Sequence, residues 1–363
     1  MPTLEATLTK KAPQRHDIIV VGASAGGVEA LGHLVGHLPA DLPAAVFVVL
    51  HVPAHGNSVL PSILSRHGSL PAVHPTDGEP IQNGRIYIAP PDHHLLVEEG
   101  RVRLTRGPQE DGHRPAVDTL FRTAAAAYGP RVIGVVLTGT LDDGTAGLQA
   151  VKLHGGLAVV QDPEEALFDS MPRYAIEGVD VDYIVPLAEI GPILVRLACH
   201  PAQEESEAAV TPELEEEVKA AEFDIKAPET RQEVKPSGYA CPDCHGALWE
   251  VEEDGLLRFR CQFGHAFSPE SLLASQSDAP EDALRALEES AAFADRLSGG
   301  AARRGHGLAA DHFTQQATDA RGRASIIRQA LLGGQIIAES GPPGRGESSR
   351  SPSPPNAGSG DTP

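Results

Sequence analysis

Between Asp17 and about Leu197 the chain alternates short runs rich in Val and Ile with longer segments rich in Ala and Leu. The runs read DIIVVG, AAVFVVLH, GRIYIAP, HHLLVEEGRVRLTR, RVIGVVLTG, LAVVQD and VDYIVPL. A strand that is apolar at every position has no face to offer water, so it belongs in a mostly parallel sheet covered by helices on both sides. That constrains the segment to an α/β, doubly wound architecture. One run departs from the pattern. Glu98, Glu99 and Gly100 interrupt HHLLVEEGRVRLTR with a short turn, which predicts an antiparallel hairpin appended to the sheet.

The remainder is organised differently. Residues 1–16 form an N-terminal extension before the α/β domain at 17–198. Residues 199–238 read as a solvated linker, since Glu204 to Asp224 holds nine acidic residues against the single Lys219. A compact cysteine segment occupies 239–276. Apolar residues at three- and four-residue spacing then predict a helical hairpin over 279–333, and 334–363 is a low-complexity, disordered tail. The formal net charge of -21 disfavours nucleic acid and anionic membrane surfaces as partners. No apolar run has signal-peptide or membrane-spanning length, and the few cysteines fit a reducing compartment, so a cytoplasmic location is expected.

The first strand opens into GASAG, Gly22 to Gly26, a G-x-S-x-G turn leading into a helix. Such a turn can project the Ser24 hydroxyl as a nucleophile, with amides at the helix start available to an oxyanion. The local pattern equally describes a phosphate-binding loop, but a dinucleotide site calls for an acidic residue after the second strand, and that strand ends in His51. Neighbouring parallel strands would bring Ser24 and His51 within hydrogen-bond reach. A carboxylate to orient the imidazole could come from Asp142 or Asp143 in TLDDGTAG, and the residues alone do not choose between them. The chain order Ser, His, Asp differs from that of α/β-hydrolases.

At these residues the chain resembles the catalytic domain of chemotaxis protein-glutamate methylesterases. VVGASAGGVEAL, VVLHVPA, GRIYIAPPDHHL, GHRPAVDTLFRTAA, VVLTGTLDDGTAGLQAVKLHGG, QDPEEALFDSMPRYAI and VDYIVPL match that family's blocks in order, from about Asp17 to Leu197. The resemblance implies a Rossmann-like methylesterase domain with Ser24 as nucleophile, His51 as base and Asp143 as the third member. It also implies a methyl-accepting chemotaxis receptor as protein substrate, and other chemosensory proteins as further partners. Ala25, Thr140, His113, Arg114 and Met171 are expected around the oxyanion and site; His113, Arg114 and Asp118 are alternatively a salt-linked cap. Family members commonly carry Met-Gly after LTG, where this chain has Thr140 and Leu141. About sixteen residues precede the first strand, so no receiver domain is expected there. An alternative function is a catalytically weak adaptor that binds partners through its C-terminal module.

The cysteine segment supplies Cys241, Cys244, Cys261 and His265, a C-x2-C and a C-x3-H separated by sixteen residues. This spacing suits a structural Cys3His zinc site, with His245 as a rival fourth ligand and a set of reduced, metal-free cysteines as the alternative. No cofactor is expected for catalysis itself.

Overall fold

The computed structural model describes residues 15–56, 58–202, 214, 218, 221, 235–253, 255–304 and 306–339. Two compact units divide the chain, 1–276 and 277–363. The N-terminal extension, most of the acidic linker and residues 340–363 lie outside the described residues. No helix among the described residues is long and apolar enough to cross a membrane.

The core of the first unit is a seven-stranded sheet. In chain order its strands are β1 (Ile18–Ala23), β2 (Ala45–Leu50), β3 (Ala72–Val73), β4 (Ile86–Ile88), β7 (Val132–Val136), β8 (Leu157–Gln161) and β9 (Tyr183–Val185). Their spatial order is β3-β4-β2-β1-β7-β8-β9, and every pairing is parallel. Strands β1, β2 and β7 are buried at every residue, which explains why their sequences are apolar without alternation. Helices α1 (Gly27–Gly36), α2 (Leu60–His67) and α6 (Leu187–Cys199) cover one face, where Leu34, Leu64 and Leu194 pack against Ile19, Val21 and Val46. Helices α3 (Val117–Tyr128), α4 (Thr145–Leu153) and α5 (Ser170–Gly178) cover the other, where Leu120, Phe121, Leu148 and Ala175 meet Val20, Phe47 and Val49.

Two expectations need correction here. The hairpin, β5 (His94–Glu98) with β6 (Arg101–Thr105), forms its own two-stranded sheet and is not hydrogen-bonded to the main one. Its residues Leu95, Val97 and Val102 instead join the apolar layer around α3, with the Thr123 hydroxyl accepting from the Val97 amide at 3.1 Å. The linker, for its part, is not wholly solvated. Leu214 and Ala221 are buried, Val218 packs on the α3 layer, and the Thr105 hydroxyl donates to the Ala221 carbonyl at 2.8 Å. Helix α6 also reaches Cys199, one residue past the expected domain end.

Residues 235–267 form a four-stranded antiparallel sheet of β10 (Lys235–Ala240), β11 (Ala247–Glu253), β12 (Leu256–Cys261) and β13 (Ala266–Phe267), in that spatial order. Helix α7 (Pro269–Arg303) starts ten residues before the expected 279, and helix α8 (Gly307–Glu339) runs past the expected 333. Ser268 explains the earlier start: its hydroxyl accepts the Ser271 amide at 2.9 Å, an N-cap, and Pro269 follows at the first helical position. In the second unit α7 and α8 run antiparallel, with the Ser298 and Thr314 hydroxyls 2.9 Å apart across the seam and Ala291, Ala294, Ala301, Ala310, Ala317 and Ala324 buried. Ion pairs Arg321–Asp295 and Arg328–Glu288 flank that seam.

Candidate active site

Strand order places the site before any side chain is considered. The chain leaves β1 toward β2 on one side and reaches β7 on the other, so the ends of β2, β1 and β7 lie side by side where the winding reverses. Ser24 follows β1, His51 follows β2, and Asp143 lies in the loop after β7.

The turn holding Ser24 is possible because of its glycines. Gly26 has φ +74°, a left-handed conformation that side chains resist, and a Cβ on Gly22 would come 2.3 Å from Val117 Cγ1. The Ser24 amide donates to the Thr138 carbonyl at 3.0 Å, fixing the turn to the loop after β7. That amide is therefore not available to an oxyanion. The amides of Ala25 and Gly26, at the positive end of α1, meet no protein acceptor among the described residues and are the donors left for that role.

His51 Nδ1 lies 3.1 Å from Ser24 Oγ, and its Nε2 lies 2.7 Å from Asp143 Oδ2. The His51 and Asp143 side chains are 6% and 1% exposed. Asp143 also accepts the amides of Val117 at 2.8 Å and Asp118 at 2.9 Å, the first turn of α3. Burial alone would raise this carboxyl, but the His51 hydrogen bond, the neighbouring imidazoles and the Val117 amide outweigh it and hold the pKa well below the carboxylate range. Asp143 is thus an ionised group that anchors the imidazole and caps a helix at once.

Asp142 faces away. It accepts hydroxyls from Ser268 at 2.8 Å and Ser271 at 3.0 Å, and burial lifts its carboxyl above the usual range. Asp142→Asn keeps an acceptor for both hydroxyls. It is expected to cost at most about 1 kcal/mol by thermal unfolding and to leave turnover within a few fold of wild type.

The expected surrounding residues fall into distinct places. His113 stacks on His51, with ring centroids 3.7 Å apart and planes 12° apart. Arg114 instead pairs with Asp92, its Nε at 2.9 Å and Nη2 at 2.6 Å, and donates to the Gly107 carbonyl at 2.8 Å. Asp118 is the cap: its Oδ1 accepts the amides of Gly144 at 2.9 Å and Gly147 at 2.7 Å, at the start of α4. Met171 is fully buried and lines no surface. It packs where a Cβ on Gly139 would go, and Gly139 in turn lies against Ser24. Thr140 is exposed, and Leu141 sits at φ +60° in the same loop. A shallow cleft bordered by His51, Pro53, Ala54, Gln109, His113 and Arg114 opens beside the imidazole.

Burial, followed by the proximity of His51, pushes His113 from 6.5 down to about 4. The unfolded chain then binds this proton first, so the stabilisation is present above about pH 6.5 and is lost as pH falls toward 4. The full difference amounts to at most about 3 kcal/mol. His113→Gln is expected to flatten the fall in Tm between pH 7 and pH 5, checked by scanning calorimetry of both proteins.

Sequence reasoning missed a buried charge cluster behind the site. Glu110, Asp111 and Asp118 lie with Arg122 and Arg258, all nearly inaccessible to water. Arg258 comes from β12 and reaches Asp118 Oδ2 at 3.1 Å and Asp111 Oδ2 at 3.2 Å, while Arg122 pairs with Glu110. Arg122 and Arg258, with Arg260 nearby, hold Glu110 at about 2 against the upward push of burial; burial lifts Asp118 to about 6 in spite of Arg258. No local pattern signals a partner 140 residues away in the chain.

The cysteine segment gathers Cys241, Cys244, Cys261 and His265, whose ligand atoms all lie within 4.8 Å of one another. His245 is not among them. It turns the chain at φ +60° and its amide donates to the Cys241 carbonyl at 2.8 Å.

Comparison with known proteins agrees with the catalytic unit. The CheB methylesterase family model matches residues 19–194. A Leptospira interrogans relative, provisionally designated a protein-glutamate methylesterase/protein-glutamine glutaminase, is 38% identical over 183 residues, 50% of this chain and 95% of its own length. Relatives from Geobacillus kaustophilus and Paramagnetospirillum magneticum, named protein-glutamate methylesterase/protein-glutamine glutaminase without that qualification, are 40% and 37% identical over 54% and 53% of this chain. Of those two proteins the chain spans only 58% and 51%. The crystal structure of the Thermotoga maritima CheB methylesterase catalytic domain is similar at 35% identity and a TM-score of 0.48, covering 50% of this chain and 98% of its own. With a relative 38% identical and matched over 95% of its own length, and the family model matching residues 19–194, the chain belongs to the CheB methylesterase family.

Proposed function

We propose that the chain is a serine hydrolase that removes methyl groups from glutamate γ-methyl esters of chemotaxis-type receptors in the cytoplasm, and deamidates receptor glutamines by the same route. The observation that carries this reading is the continuous hydrogen-bonded series Ser24, His51, Asp143 at the reversal point of the sheet.

His51 takes the Ser24 hydroxyl proton as Oγ attacks the ester carbonyl carbon. The carbonyl oxygen becomes an oxyanion held by the Ala25 and Gly26 amides, aided by the positive end of α1. Asp143 stabilises the imidazolium and fixes the ring without taking the proton. His51 then gives its proton to the departing methoxide oxygen, and methanol leaves. Water, deprotonated by His51, attacks the acyl carbon; the C–Oγ bond breaks, Ser24 recovers its proton and a glutamate side chain is released. With glutamine as substrate the leaving group is ammonia.

The test is methanol release from enzymatically methylated receptor cytoplasmic fragments, with ammonia release from unmodified fragments in parallel. Methanol formed in proportion to enzyme supports the proposal. A folded protein that releases neither product from several receptors overturns it.

A further inference from the structure

We propose that Cys241, Cys244, Cys261 and His265 hold one Zn2+ ion, and that this metal segment completes the active site by setting Arg258 against Asp111 and Asp118 behind Asp143. The positioning half of the proposal rests on the esterase reading; the metal half stands without it.

Geometry supports the ion. A tetrahedral centre with ligands at about 2.3 Å for sulfur and about 2.1 Å for nitrogen has edges of roughly 3.5–3.8 Å. The pairs Cys241–His265, Cys244–Cys261 and Cys261–His265 lie at 3.6, 3.6 and 3.5 Å. The 3.6 Å between Cys244 and Cys261 sulfurs is far beyond a disulfide bond. The Phe263 amide points at the Cys261 sulfur at 3.3 Å, the kind of donor that orients a metal-bound thiolate.

The same short stretch carries both the ligands and the contacts to the catalytic domain. Arg258 and Cys261 share β12, and Ala266 and Ser268 follow His265 within three residues. The Ala266 carbonyl accepts the Asp111 amide at 2.8 Å, and the Ser268 amide donates to Asp111 Oδ1 at 2.7 Å. Ser268 and Ser271 hold Asp142, the residue before Asp143. Arg258 partly neutralises Asp118, which caps the helix that follows Asp143, while Asp143 accepts the Asp118 amide. An ion that fixes residues 258–268 therefore fixes the backbone on both sides of Asp143. Arg258 is a positioning residue here, acting through Asp118.

The experiment uses the full chain purified in metal-free buffer, with zinc measured by elemental analysis and Co2+ substituted for zinc. One zinc per chain is expected, with the visible absorption of tetrahedral thiolate-bound Co2+, and both are expected to vanish in a Cys241→Ser/Cys244→Ser variant. Zinc well below half an equivalent, or octahedral Co2+ spectra, overturns the metal site. Positioning is read as the rate at which a fluorophosphonate labels Ser24, which needs no receptor. Arg258→Met is expected to slow labelling about a hundredfold, the effect of misplacing a catalytic group by about 1 Å, with zinc content unchanged and partial recovery in Arg258→Lys. Should Arg258→Met fail to fold, wild-type protein stripped of zinc and reloaded gives the same reading, slow without the ion and restored with it. Unchanged labelling in these comparisons overturns the coupling. A zinc-loaded wild type whose Ser24 does not react at all overturns the esterase reading and leaves the metal site standing.

Discussion

Ser24→Ala is expected to reduce methanol release to roughly a millionth of wild type in kcat, the scale of loss when a serine nucleophile is removed from an intact triad. The change should leave the fold untouched. The Ser24 amide still pairs with Thr138, and an alanine Cβ keeps the contact with Gly139. Thermal unfolding should therefore coincide with wild type while turnover disappears. A variant that retained activity within tenfold of wild type would place the nucleophile elsewhere.

Asp143→Asn has the second largest expected effect and a different signature. An asparagine at this position cannot anchor the imidazole in the required tautomer, a defect of about ten-thousandfold in kcat for a Ser-His-Asp triad. Unlike Ser24→Ala, it should also cost stability. Oδ1 receives the Asp118 amide, and Oδ2 receives the Val117 amide and His51, so one side must now present an N–H to another N–H. A buried donor left unsatisfied costs about 1–3 kcal/mol. The depressed pKa of Asp143 stabilises the fold above the unfolded carboxylate value and is lost as pH falls below it, so the variant should also lose part of the acid limb of wild-type unfolding. Equal stability for the two proteins across pH 3 to 7 would show that the helix-capping role is absent.

These expectations draw on features that the sequence exposes unevenly. Strands β1, β2 and β7 are legible because full burial permits unbroken Val and Ile runs, and they deliver Ser24, His51 and the LDDG loop to one edge. Strand β3 is two residues long and leaves no run to read. Asp142 and Asp143 are equivalent in sequence; what separates them is that α3 starts beneath one and α7 beneath the other. In the linker, nine acidic residues hide the packing of Leu214, Val218 and Ala221, because average charge says little about which individual apolar side chains are buried. Pro280 sits inside α7 and imitates a helix start, although the true cap, Ser268 followed by Pro269, is also written in the sequence. Arg258 belongs to another class of feature, since its partners are brought to it only by the docking of a separate small sheet.

Asp143 binds the first amides of α3, and Asp118, itself in the first turn of α3, binds the first amides of α4. Each helix start is thus tied by a carboxylate belonging to the other's surroundings, and neither can fray without releasing its counterpart. In hydrogen exchange the amides of Val117, Asp118, Gly144 and Gly147 would open as one cooperative group. A half-ordered site, with His51 oriented but its carboxylate loose, is then not expected among the openings that such exchange would report.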